Sequence, residues 1–489
     1  MKRNASLAAL VAILLLGGGL RLSALTSDQR FHADEALFAT FARRAALGGA
    51  WMFPGSLDKP PLALYSMALA MIPFSTTRAD GLPELPPRDG EIAARLPGMI
   101  ASVLLIAWTY ALSRRLYQRE DTALLAALLV STSPLAVAHG AAAFTDGLML
   151  LFGTAALWCA VASRWGWAGA ALALSFASKQ QGLYLLPLVI GLSWSMGLLT
   201  WRASLRFAAA LAAGSALLLG WDALRGETSL FALALANNDP ARWIRSDEVF
   251  SRLQAWAGLG SWLFMPISAL LIPAAFGGVL WRLRYGRSSA AAADIVLALY
   301  SISYLLLHWW IAFNTYDRYL LPLLIPLALL GARGLITLYE SLVGRLPVVE
   351  MRFIGLLFVG AMAASALDAA QGRLPIGVNS ARSAGIDVVA AQLNALPLGA
   401  IVYDRWLGWE LDYYLGQWTD KRRVYYPTPR ALVEDALRQP DPAPRYWIVP
   451  RWAVARPWLE ALTAAGFAPQ RAWQHRLFSV YRLAPPTPS

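Results

Sequence analysis

Apolar runs about twenty residues long recur from the start of the chain to about residue 370, separated by short polar stretches rich in arginine. A helix needs about 20 apolar residues to cross about 30 Å of hydrocarbon. Residues 5–25 meet that length, and further runs follow at 92–112, 121–138, 146–163, 166–178, 182–200, 207–223, 256–281, 292–312, 318–341 and 353–370. The pattern predicts a mainly α, polytopic transmembrane helix bundle of about eleven spans, the run 166–178 being the shortest. Lys2 and Arg3 ahead of the first run resemble a signal peptide's charged start. No small-residue cleavage site follows and further spans do, so the first run is expected to stay as an uncleaved helix. Past residue 370 the rhythm changes. Strand-like runs (Ala400–Tyr403, Tyr446–Val449, Leu477–Leu483) alternate with helical stretches (Ala384–Leu396, Pro429–Arg438, Pro457–Gly466). That alternation predicts a small C-terminal α/β domain, large enough to bury its own core. The expected division is a membrane domain, 1–370, and an α/β domain, 371–489.

Charge turns these spans into a topology. With the N-terminus in the cytoplasm, the inside turns carry Arg114, Arg115 and Arg119, then Arg164, then Arg202 and Arg206, then Arg282, Arg284 and Arg287, then Arg345 and Arg352. Every inside turn is basic, as the positive-inside rule requires. An odd number of spans then places the C-terminal domain outside, with two long outer loops at about 26–91 and 224–255. Composition agrees: 57% of the 489 residues are hydrophobic and 15% charged, against about 45–50% and about 25% in soluble proteins. The net charge of +12 sits in short clusters between apolar runs, where it sets topology and meets anionic membrane lipid rather than nucleic acid. The lone Cys159 excludes an intramolecular disulfide.

Candidate chemistry concentrates in the first outer loop. Asp34 and Glu35 open a helical rhythm over 37–47, with Asp34 where an N-cap would stand. Helix capping alone accounts for such a pair, and catalysis is the other reading. Glu35 either assists Asp34 or only favours the helix dipole. Further on, Asp58-Lys59-Pro60-Pro61 leads into an apolar stretch, so Lys59 either binds a ligand phosphate or rests among lipid head groups. Asp146, Lys179 and Arg318 lie at outer ends of spans, where ionisable groups are costly unless they face a wet cavity or one another. His139 either ends the third span or ligates a metal, the former being favoured. Asp239, Asp247 and Glu248 read as a solvated face, and no Gly-rich nucleotide loop or zinc spacing occurs.

The order of these features resembles a family. Asp34-Glu35, Gly48-Gly49-Ala50-Trp51 and Asp58-Lys59-Pro60-Pro61-Leu62 look like the first outer loop of polyprenyl-phosphate-sugar glycosyltransferases of the C-type fold. That superfamily includes protein O-mannosyltransferases and the lipid A aminoarabinose transferase. The likeness continues through Ala94-Arg95-Leu96-Pro97, Phe144-Thr145-Asp146-Gly147-Leu148, Ser178-Lys179 with Gly182, and Asp317-Arg318-Tyr319-Leu320-Leu321-Pro322. It implies an enzyme of the cell inner or plasma membrane that transfers a sugar, with inversion, from a polyprenyl-phosphate donor. The acceptor would be a lipid, glycan or protein. The likeness implies that Asp34, with Glu35, is catalytic, Asp34 accepting the acceptor proton. It implies that Lys59 and Arg318 hold the donor phosphate, and that Arg95, Asp146, Lys179 and Tyr319 complete the substrate site. Asp58 and Asp146 match acidic positions that would hold a divalent metal (Mg, Mn or Zn) or organise the site. Two glutamines separate Lys179 from Gly182, a departure from the family's usual Lys-Gly.

The chemistry is coherent by itself. Transfer from a polyprenyl phosphate needs a carboxylate beside the attacking hydroxyl and cations where phosphate charge develops. The rival class is a transporter or flippase of lipid-linked saccharides. It would place its ionisable residues near the bilayer midplane between related halves, and no such internal repeat is evident.

Overall fold

The computed structural model describes residues 2–238, 242–285, 288–343, 348–378, 381–438 and 443–484. Asp239, Arg287 and Arg345 lie outside them, as does most of the Pro-rich stretch 440–444. Packing sorts the chain into two compact units: residues 1–27, 52–67 and 95–377, and residues 28–51, 68–94 and 378–489. The loop residues 28–51 and 68–94 thus pack with the C-terminal segment, in the same unit as its sheet.

The first unit is helical. Six described helices are long and apolar enough to cross a membrane, including Asn4–Thr26, Trp201–Leu224 and Phe353–Ala370. On them Leu217, Leu224 and Leu356 are more than two-thirds exposed. Side chains that water would force inward remain outside, as lipid allows. The eleven expected spans do not all form single straight helices. Residues 121–138 become Glu120–Ser131 and Pro134–Gly140, bent by 57°. Pro134 cannot continue the helix ladder, and Ser133 caps the new start by accepting the Ala136 N–H. Residues 256–281 divide into Val249–Ser261 and Ser268–Tyr285 around Pro266, and residues 182–200 contribute a 3-10 turn and the ten-residue helix Leu186–Ser195. Small residues set the closest helix approach. A Cβ on Gly334 would come within 2.1 Å of the Ala274 carbonyl oxygen, so the helices Ser268–Tyr285 and Leu324–Leu342 meet backbone to backbone there.

The second unit holds a five-stranded sheet. Its strands follow the short ladder β1 (Thr76–Thr77) and β2 (Pro83–Glu84): β3 (Ile401–Asp404), β4 (Arg422–Tyr425), β5 (Arg445–Pro450), β6 (Ala468–Gln474) and β7 (Phe478–Ala484). The spatial order is β4-β3-β5-β7-β6; β3 runs parallel to both β4 and β5, and β7 antiparallel to β5 and β6. Trp447, Val449, Ile401 and Tyr403 meet Leu432, Trp458 and Leu462 from the helices Pro429–Arg438 and Arg456–Ala464 in one core. The helix Ala33–Gly48 packs on Gly408–Tyr414 in the same unit.

Candidate active site

In the first unit three cations from distant parts of the chain line one cavity of about 320 Å³: Lys59, Lys179 and Arg318. Each is placed by a break in regular structure. Lys59 precedes Pro60-Pro61 and the helix that begins at Leu62. Lys179 stands between the helix ending at Ser178 and the turn Gln180–Leu185. Arg318 lies in the turn Asp317–Leu323, before the helix Leu324–Leu342. Lys59 is ion-paired with Asp58 at 2.7 Å, and Lys179 with the buried Asp146 at 2.6 Å. The departure from the family pattern has a use here: Gln180 donates to the Asp58 carbonyl at 2.7 Å and ties the two lysine segments together. Tyr319, predicted for the substrate site, lines the same cavity; its ring lies 5.5 Å from the Lys179 ammonium and 5.8 Å from the Arg318 guanidinium. The remaining wall is largely apolar and aromatic, with Tyr184, Phe231, Leu235, His308 and Phe313. Such a wall accepts a ligand that is anionic at one point and greasy elsewhere.

The sequence singled out none of those wall residues, because apolar residues in helices carry no mark of what they face. Arg95 is buried at 1% exposure and is not among the residues lining this cavity. His139 ends the helix Pro134–Gly140 and lies 3.3 Å from Asp317, which also accepts the Arg318 and Gly377 N–H groups. Asp58 and Asp146 are each engaged by a lysine, and no three His, Cys, Asp or Glu side chains gather among the described residues. Two lysine-bound carboxylates are not a metal's donor set.

In the second unit Asp34 stands in the first turn of Ala33–Gly48, but it is not the cap. His32 is the N-cap: its Nδ1 accepts the Asp34 N–H, and Glu35 returns a carboxylate oxygen to the His32 N–H at 3.0 Å. This reciprocal capping box gives Glu35 a structural task and spares the Asp34 carboxylate from it. The entering segment is fixed from the C-terminal segment. The Tyr414 hydroxyl accepts the Phe31 N–H at 2.7 Å and donates to Glu91, which also holds Arg30 and Arg88. A further acid, Glu410, is buried on the helix that packs against Ala33–Gly48. Burial pushes its carboxyl up to about 7, and the carboxylates of Asp404 and Asp34 add to the rise. Glu91, Glu410 and Tyr414 had no motif to mark them. Asp247 and Glu248, read as a solvated face, pair on the surface with Arg245 and Arg242.

Known proteins share this architecture. The family described as Dolichyl-phosphate-mannose-protein mannosyltransferase matches residues 87–221. An undecaprenyl phosphate-alpha-4-amino-4-deoxy-L-arabinose arabinosyl transferase of Pseudomonas aeruginosa (strain LESB58) is 26% identical over 391 residues, covering 75% of this chain. The matched stretch spans 66% of that relative's length. Among solved structures, ArnT from Cupriavidus metallidurans in the apo state superposes over 100% of both chains with a TM-score of 0.66 at 14% identity. The Archaeoglobus fulgidus oligosaccharyltransferase in the apo form gives 0.59 at 13% identity, over 91% of this chain and 69% of that one. In fold, in the family match over residues 87–221 and in its relatives, the chain is similar to polyprenyl-phosphate-dependent glycosyltransferases of the C-type fold.

Proposed function

We propose that this protein transfers a sugar from a polyprenyl-phosphate donor to an acceptor hydroxyl or phosphate on the extracytoplasmic side of the membrane. The observation that carries the reading is the cavity in which Lys59, Lys179 and Arg318 meet an apolar and aromatic wall. A polyprenyl phosphate has that chemistry, and a relative with this fold, ArnT from Cupriavidus metallidurans, is known bound to undecaprenyl phosphate. Asp34 takes the proton of the acceptor hydroxyl, or of an acceptor phosphate in its monoprotonated form, as the acceptor oxygen attacks the anomeric carbon. The bond from that carbon to the phosphate oxygen breaks, and the polyprenyl phosphate leaves with its charge held by Lys59 and Arg318. Glu35 and Tyr414 keep the Asp34 turn in place. Purified protein given candidate polyprenyl-phosphate sugars and acceptors should yield a glycosylated product by mass spectrometry. Loss of donor sugar to none of them would overturn the reading.

The side on which this happens rests on the basic turns between spans. In a Cys159→Ala background, Ser56→Cys and Asp420→Cys should both react with a membrane-impermeant thiol reagent in intact cells. Protection of both until lysis would reverse the orientation.

A further inference from the structure

A second gathering of cations stands in the second unit. Arg43, on the helix Ala33–Gly48, is 4% exposed. Its guanidinium donates to the carbonyls of Tyr413 and Asp412 at the end of the helix Gly408–Tyr414 and lies 4.9 Å over the Tyr413 ring. Its Nε has no hydrogen-bond partner, and no carboxylate is within ion-pair reach among the described residues. Arg44 beside it is half-buried, 5.9 Å from the Phe41 ring, again with no carboxylate in reach among the described residues. Both line a pocket of about 290 Å³ together with Lys421 and Arg423. Lys421 is held by Asp420, and Arg423 by Asp404 and Asp412. Four cations against those three carboxylates leave the pocket positive. A guanidinium buried with only carbonyl partners is costly, and burial brings the Arg43 pKa down to about 10.

We propose that this pocket binds a phosphate group, carried either by a soluble phosphate ester or by a lipid head group. The Arg44 guanidinium fork matches the geometry of a tetrahedral oxyanion, and the Arg43 Nε–H is the donor its two carbonyl contacts leave without a partner. Arg43 is nine residues beyond Asp34, about two and a half helical turns, so the two project from opposite sides of the helix. The pocket is therefore separate from the Asp34 turn, and the inference does not depend on transfer activity.

The test uses full-length protein in neutral detergent carrying Lys59→Ala and Arg318→Ala, so that phosphate held by the donor cavity is not counted. Equilibrium dialysis with radiolabelled inorganic phosphate should find one saturable site in this background. Adding Arg44→Gln, whose side chain holds no backbone group, should weaken it about 10-fold without moving the melting temperature. Adding Arg43→Gln should abolish it. Absence of saturable binding, or equal affinity with and without Arg44→Gln, would reduce Arg43 to a cap on the helix Gly408–Tyr414 and overturn the proposal. Nanodiscs of phosphatidylcholine with or without phosphatidylglycerol then distinguish the sources. Displacement of labelled phosphate only by the anionic lipid identifies a head group, and no displacement identifies a soluble ester.

Discussion

Asp34 and its neighbours show how much one turn of helix can conceal from the sequence. The pair Asp34-Glu35 was legible as a helix start, and the cap was misassigned because histidine is not among the usual capping residues. With His32 and Glu35 closing the box, removing the Asp34 charge should leave the helix intact. We expect Asp34→Asn to melt within a degree or two of the wild type while transfer falls about 10²–10⁴-fold. A variant retaining more than about a tenth of the wild-type rate would remove Asp34 as the base. Glu410 makes a prediction of the opposite kind, on stability alone. Its folded carboxyl titrates near 7 and its unfolded one near the ordinary glutamate value. The folded state therefore binds more protons between those values, and stability declines as pH rises from about 4.5 to about 7. The decline is on the order of 2–3 kcal/mol for such a shift. Glu410→Gln carries no such proton. Its melting temperature should match the wild type near pH 5 and exceed it at pH 8; an equal gap at both would refute the titration.

At the scale of elements, legibility follows burial. The strands read from the sequence were β3, β5 and β7, whose apolar runs sit inside the sheet, and β5 is buried at every position. The two missed in the five-stranded sheet, β4 and β6, are its edges. β4 begins Arg-Arg, and β6 carries Pro469 and mostly exposed positions, the polar and proline-bearing character by which edges avoid further pairing. The helix Gly408–Tyr414 was missed because seven residues show less than two turns of periodicity. Glycine packing among the membrane helices was equally invisible, since a glycine in an apolar run signals only permissiveness. Gly334→Ala should force apart the helices Ser268–Tyr285 and Leu324–Leu342, where no flexible side chain can yield to the new methyl. Overpacking of this kind costs typically about 1–3 kcal/mol. The melting temperature in detergent should fall accordingly, whereas Gly355→Ala, with open space at its Cβ, should leave it unchanged.

Along the whole chain, hydropathy identified where it is apolar but not where it breaks, so about eleven runs became, among the described residues, six long helices with bent and shortened companions. The cavity is a different matter. Nothing in the period of its helices links residues 59, 179 and 318; the cost of ionisable groups at the outer ends of spans and the ordered likeness to a family suggested that they meet. Their meeting in one wall is what makes a quantitative test possible. If Lys59 and Arg318 grip one phosphate, Lys59→Ala and Arg318→Ala should each weaken donor binding about 10–100-fold, the usual consequence of losing one partner in a charge-assisted contact. Once one cation is gone the phosphate shifts or is held loosely, and the second has less to lose. The double variant should then be much less impaired than the product of the single losses. Two cations that merely meet separate lipid head groups would instead give small losses that multiply. Donor affinity in neutral detergent, measured for the wild type, both single variants and the double, separates the two outcomes. Near-normal affinity in both singles would take Lys59 and Arg318 out of the donor site, and the cavity would lose the charge that distinguishes it from an ordinary lipid-facing groove.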